Sequence, residues 1–287
     1  MNNINRRSFL TKSSIGIAAF AVGGTNELFA AAKANAISVG FQTWVVREML
    51  NKDLPGTLKT MAAMGYKQTE MCYPRTYVNA GFAALAAMKT ADVKSAIIDA
   101  GLACKSCHFG LADFTDNEKQ DAAIQYAKEM GLDQMICSSF GLPKTATLND
   151  YLEAAGKLNK GAEKVKAAGM QAGFHNHSME FAVLDGQLIY DALMKQFDPK
   201  LVKMQFQTEV INLGYKAADH FKKYPGRFIS SHLSDWTADK KQVPIGKGVI
   251  DWKEFFVAAK TGGVKNYFVE MDFDTLDASA KFLLAMK

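Results

Sequence analysis

The sequence predicts an α/β fold, a single (β/α)8 barrel of the TIM type, and three observations carry that prediction. Eight short apolar runs recur along residues 35–287, each followed by a segment of helical periodicity. Polar residues gather where those runs end: His108, His175 to Glu180, Gln207 with Glu209, His232 with Asp235, and Glu270 with Asp272. In a closed barrel those strand ends converge on one mouth, whereas an open doubly wound sheet strings them along an edge and carries a glycine-rich phosphate turn after strand one. No such turn follows Ile37-Ser38-Val39-Gly40-Phe41.

Residues 1–34 read as an export signal that precedes the fold. Asn5-Arg6-Arg7-Ser8-Phe9-Leu10 leads into a mild, Gly- and Ala-rich apolar segment, Ile15 to Val22, and the Ala-rich stretch Leu28 to Ala34 offers the cleavage region. Twin arginines before Ser-Phe-Leu resemble the bacterial twin-arginine signal, which implies a periplasmic address.

The barrel then starts at Ile37 to Phe41 and ends that strand at Gln42-Thr43-Trp44. A helix from Leu54 to Met64 stops at Gly65, and Tyr66 to Cys72 is strand two, carrying Glu70. Helical pieces at Phe82 to Met88 and Ala91 to Ala100 lead to strand three, Leu102 to His108. Asp116 caps a helix through Met130 before strand four, Gln134 to Ser138. The amphipathic segment Leu148 to Ala168 precedes strand five, Met170 to His175. A helix over Gly186 to Gln196, strand six over Leu201 to Gln207 and a helix over Ala217 to Lys223 come next. Strand seven spans Arg227 to Leu233. A helix capped by Asp251, strand eight over Tyr267 to Asp272 and a helix from Thr275 to Ala285 complete the chain.

Composition narrows the function classes. Of 287 residues 48% are hydrophobic and 22% charged, the balance of a globular protein. The formal charge of +5 falls further once Arg6, Arg7 and Lys12 leave with Glu27, and the remaining lysines form no basic stripe, so nucleic acid is not an expected partner. No stretch reaches the ~18 apolar residues of a membrane span. Cys104 and Cys107 have CxxC spacing, but on a strand they point to opposite faces and read as buried thiols. Self-association into a homo-oligomer stays open.

The densest chemistry lies in Gly173-Phe174-His175-Asn176-His177-Ser178-Met179-Glu180-Phe181, two imidazoles, an amide and a carboxylate at the end of a strand. Two imidazoles on one strand face beside a carboxylate suit a divalent metal or a proton-transfer site. Glu270, among the apolar neighbours Phe268, Val269 and Met271, needs a partner, because an isolated buried carboxylate is very costly. A cation near His232 satisfies it. Nitrogen and oxygen ligands without thiolate favour Mn²⁺, Mg²⁺, Co²⁺ or Zn²⁺.

These motifs resemble the xylose isomerase-like barrels, described as sugar phosphate isomerases/epimerases and sharing their fold with type-two apurinic endonucleases. The resemblance rests on His175-Asn176-His177 followed by Glu180-Phe181, on Tyr224-Pro225-Gly226-Arg227 leading to His232-Leu233-Ser234-Asp235, and on Gly246-Lys247-Gly248 with Asp251-Trp252 before Val269-Glu270-Met271-Asp272. It implies a divalent metal held by His175 or Glu180 from strand five, a strand-six residue, His232 and Glu270. Strand six has Gln207 where many relatives carry Asp, with Glu209 as a substitute.

The implied chemistry is isomerisation or epimerisation of a sugar through an enediolate, with Glu270 as the proton-moving carboxylate and Glu180 or Glu70 as its opposite. His108, His177, Asn176 and Asp235 would hydrogen-bond hydroxyls, while Trp44, Tyr73, Phe109 and Trp236 would stack on the ring. Export points to a non-phosphorylated sugar or keto-sugar. Loss of a β-substituent at the same site would make a 3-keto-glycoside lyase, and a barrel that only binds carbohydrate is the third reading.

Overall fold

Strand β1 (Val39–Gln42) is buried along its length and pairs in parallel with β2 (Gln68–Cys72) on one side and with β8 (Asn266–Val269) on the other. Those two pairings close a ring. Between them lie β3 (Ala103–Phe109), β4 (Gln134–Cys137), β5 (Gln171–His175), β6 (Val202–Gln207) and β7 (Phe228–Leu233), and the order around the barrel is β1-β8-β7-β6-β5-β4-β3-β2. The structure is a computed structural model that describes residues 38–286, so the export signal read in residues 1–34 lies outside the described residues. Within them the expected (β/α)8 barrel is the observed fold.

Among the described residues, eight longer helices cover the barrel: α1 Leu54–Ala63, α2 Thr90–Asp99, α3 Asn117–Met130, α4 Leu148–Ala167, α5 Ile189–Gln196, α6 Ala217–Lys223, α7 Trp252–Gly262 and α8 Leu276–Ala285. Side chains at their starts satisfy otherwise orphaned N–H groups. Asp53 accepts from Gly56, Asp116 from Glu118 and Lys119, and Asp251 from Glu254, while Thr147 and Asp150 form a capping box on α4. Each such cap contributes about 1 kcal/mol.

Two elements differ from the sequence reading. The helix expected from Gly186 begins at Ile189, because Val183–Leu184 and Gln187–Leu188 pair as a hairpin around Asp185-Gly186, both at positive φ (51° and 71°). Asp-Gly is a preferred pair for that turn. Strand β8 stops at Val269, so Glu270 sits just past it, its N–H donating to the Leu233 carbonyl at 3.0 Å. The CxxC pair is two free, buried thiols on β3, as expected, and burial pushes Cys104 up to about 12.

The barrel interior determines where the site lies. Toward the bottom, β1 and β8 approach closely: a Cβ on Gly40 would sit 2.5 Å from the Phe268 ring. Above that contact, Gln42, Glu70, Ser106, Gln205, Ser230 and His232 are all fully buried. Barrels of this type usually fill their interior with branched apolar side chains. Here a polar layer lies beneath the mouth.

Candidate active site

Glu70 is the centre of that layer. Its Oε1 accepts from Ser106 Oγ (2.5 Å) and Gln205 Nε2 (2.8 Å), and its Oε2 from Gln42 Nε2 (2.7 Å) and His232 Nε2 (2.5 Å). Gln205 also donates to Ser230 Oγ at 2.9 Å and accepts from His108 Nε2 at 2.6 Å. Burial opposes the charge on Glu70, but the nearby His108 and His232 and these donors outweigh it and hold its carboxyl below the usual range.

His232 joins this layer to the mouth. Its other nitrogen, Nδ1, lies 2.9 Å from Glu270 Oε2, and Gln207 Nε2 donates to the same oxygen at 2.6 Å. Burial alone would strip the ring of its second proton; Glu270 and Glu70 overcome this and raise His232 to about 10. Glu270 responds in kind, with burial overridden by His232 and its carboxyl drawn down to about 2. In chelator-treated protein the His232 ring is therefore expected to keep both N–H protons at pH 8 by ¹⁵N-resolved NMR. Because the folded value is raised, the charge stabilises the fold below the usual imidazole range of ~6.5 and this contribution is lost as pH climbs through about 10. A singly protonated ring at pH 7 would contradict the arrangement.

Gln207, Glu270 and His177 form part of the lining of a cavity of about 430 Å³ at the mouth. Trp44, Trp236 and Phe273 supply its aromatic walls, and Arg47, Glu209 and Asp272 its charged groups.

The residues at the floor suit a divalent cation. Gln207 Oε1 is buried without a partner, and a half-turn of the amide exchanges it with Nε2, placing a carbonyl oxygen beside Glu270 Oε2 and near His232 Nδ1. Two oxygens and an imidazole nitrogen then converge, and Glu70 behind Nε2 supplies the outer carboxylate that typically orients a ligating histidine. His108, His175 and His232 form a second, buried group with ligand atoms within 4.8 Å of one another. His175 Nδ1 there has no partner, and burial followed by three neighbouring imidazoles keeps the ring neutral, the ligating form. Of the first set, Gln207 and Glu270 line the space a substrate can enter; His232, like His108 and His175, does not line it but contacts Glu270.

Several expected site residues sit elsewhere. Glu180 caps the short turn Ser178–Phe181, its Oε2 accepting from the His177 N–H at 2.7 Å, and burial lifts it to about 7. Of the strand-five pair it is therefore His175 that faces the imidazole cluster. Glu70 and His108 lie beneath the floor instead of lining the cavity. Asn176 is fully buried and braces β5 to β6, its Oδ1 accepting from the Gln207 N–H at 3.2 Å. Phe109 is buried against Tyr73, Phe114 and Tyr126, so it presents no face to a sugar, and Tyr73 lines a different cavity with Arg75.

Asp235 is the clearest correction. Instead of meeting substrate, its carboxylate accepts from the backbone N–H groups of Gly246, Gly248 and Ile250 and from Trp252 Nε1 (2.9–3.3 Å), which folds the loop after β7 onto the barrel. Asp235→Ala leaves the buried Trp252 Nε1–H unpaired and takes the acceptor from three part-buried loop N–H groups, and is expected to cost about 3 kcal/mol in urea unfolding. A loss below about 1 kcal/mol would show that the loop is held otherwise.

Sequence reasoning missed Gln42, Ser106 and Gln205, the residues that hold Glu70. Polar side chains inside otherwise apolar strands were the available signal.

A family model described as xylose isomerase-like TIM barrel matches residues 58–283. Among curated proteins, none matches. A sugar phosphate isomerase/epimerase from Parabacteroides distasonis ATCC 8503 is similar in structure at 26% identity, with 88% of this chain and 95% of that one covered and a TM-score of 0.73. An L-ribulose 3-epimerase (17% identity, 87% and 86% covered, TM-score 0.59) and an IOLI protein with a zinc atom (12%, 86% and 94%, 0.60) share the fold.

Proposed function

The chain belongs to the xylose isomerase-like TIM barrel family, and from that premise we propose an isomerase or epimerase of a non-phosphorylated sugar that works through an enediolate. The observation that carries the reading is the Glu270 carboxylate on the cavity floor, fastened by His232 Nδ1 and Gln207 Nε2. Both contacts fall on Oε2, so Oε1 is the oxygen left to take a proton from the carbon beside a carbonyl and to return it. His177, also lining the cavity, is kept neutral chiefly by burial and can donate to or accept from a hydroxyl.

Glu270 is ionised at neutral pH whether a protonated His232 or a cation faces it, and a carboxylate is a weak base toward carbon, so the substrate's C–H must itself be acidified. Gln207, His232 and Glu270 are the residues that would hold a divalent cation, which would supply that acidity by polarising the carbonyl. Gln207 contributes no charge to such a site, and the outer carboxylate, Glu70, adds one from behind His232. The IOLI protein with its zinc atom is in keeping with a cation in this fold.

The cavity's charge supports a neutral substrate. Among the described residues that line it, Glu209, Glu270 and Asp272 stand against Arg47, a balance that repels a phosphate dianion. The export signal read in residues 1–34 accords with this, because phosphorylated sugars are chiefly cytoplasmic, and a periplasmic address is part of the proposal. The test is incubation with Mn²⁺, Co²⁺ or Mg²⁺ and a panel of free aldoses and ketoses beside their phosphates, followed by NMR. Conversion of a free sugar to an isomer or epimer is the expected result; turnover confined to phosphates would overturn the reading. A product with a new double bond would transfer the same site to β-elimination.

A further inference from the structure

Trp44 and Trp236 both line the cavity. The chain contains three tryptophans, and two of them line this one space. The third, Trp252, is buried and donates to Asp235. Trp44 is 37% exposed: its backbone N–H donates to Gln42 Oε1 at 3.3 Å, and Arg47 lies over the ring at 4.4 Å while donating to the Trp44 carbonyl at 2.7 Å. Tyr77 meets it edge-on at 6.0 Å. Trp236 is held by its Nε1 donating to Ser234 Oγ at 3.1 Å, on the short hairpin Asp235–Trp236 with Gln242–Val243. That hairpin is tied in turn to the loop after β8, where the Asp272 N–H donates to Gln242 Oε1 at 2.6 Å. Phe273, on the same loop, is 39% exposed.

Trp44 and Phe273, each more than a third exposed, and the half-buried Trp236 together form an aromatic surface of the kind a ligand covers. Arg47, Gln242 and Asp272 lie among them in the same lining, and their planar groups pair with hydroxyls. An aromatic face flanked by such groups fits a pyranose, whose C–H faces are apolar and whose edge is polar.

We propose that the substrate is a reducing disaccharide or longer glycoside, whose reacting sugar lies over Glu270 while a second pyranose stacks between Trp44 and Trp236. This rests on the enolising reading above. The chemistry is unchanged: a proton leaves and returns at the reducing sugar, the glycosidic bond stays intact, and no oxidant or reductant is needed.

Binding tests this independently of turnover. The intrinsic fluorescence of the full chain is titrated with glucose and with cellobiose, maltose, gentiobiose and lactose, with Trp252 as the buried reference. At least one disaccharide is expected to bind roughly tenfold more tightly than glucose, with the advantage lost in Trp44→Ala and in Trp236→Ala. Equal affinity for glucose and all four disaccharides, or an advantage that survives both substitutions, would overturn the outer subsite while leaving the enolising centre standing. Binding of no sugar at all would overturn both. Circular dichroism of each variant confirms that it is folded.

Discussion

Glu270→Gln is expected to lower turnover of the sugar substrate by about 10²–10⁴-fold, the range that a positioned acid/base group contributes. Gln matches Glu in size and can still accept from His232 Nδ1, but its amide cannot take up a proton from carbon. The variant also loses the anion that faces His232, so its affinity for a divalent cation falls with its turnover. Initial rates by NMR, beside calorimetric titration with Mn²⁺, separate the two effects. Saturating cation that restores full turnover would show that Glu270 only helps to bind the metal; a deficit that persists assigns it the proton transfer.

The largest stability effect belongs to Glu70. Ser106, Gln205, Gln42 and His232 all donate to its carboxylate, and the residue is fully buried. Glu70→Ala removes the acceptor common to four donors, one of them on a charged ring, and leaves a cavity in the barrel interior. Breaking a buried ion pair on one side costs about 3–5 kcal/mol. Urea unfolding is expected to show a loss of that size. Glu70→Gln, which keeps the shape and one acceptor oxygen, is expected to lose less. A change under about 1 kcal/mol for Glu70→Ala would mean that the polar layer is not held through this residue.

The contrast between Glu70 and Glu270 shows what was legible in the sequence. Glu70 lies within strand two and Glu270 just past β8, and strand alternation places each on the inner face of the barrel. Alternation does not give depth. Whether an inward carboxylate reaches the mouth or lies under it depends on stagger between neighbouring strands, such as the register shift between Thr69 and Glu70 on β2. His232 and Gln207 were legible because the motifs around them put them at the ends of β7 and β6.

Asp235 misled for the opposite reason. Its spacing after His232 was plain, but its partners lie 11 to 17 residues onward in a loop whose path no local pattern gives. Glu180 likewise sits in the expected cluster but turns back to cap its own turn. At Asp185-Gly186 the turn signal was present in the sequence, and the hydrophobic periodicity of the following helix obscured it.

Gln207, His232 and Glu270 are proposed as a cation site at the floor of the cavity. Metal content of protein purified without added metal, measured by mass spectrometry beside the double variant His232→Ala/Glu270→Ala, tests it most directly. About one Mn, Co, Mg or Zn per chain, absent from the variant, is the predicted result. No metal in either protein, with none taken up on soaking, would contradict it.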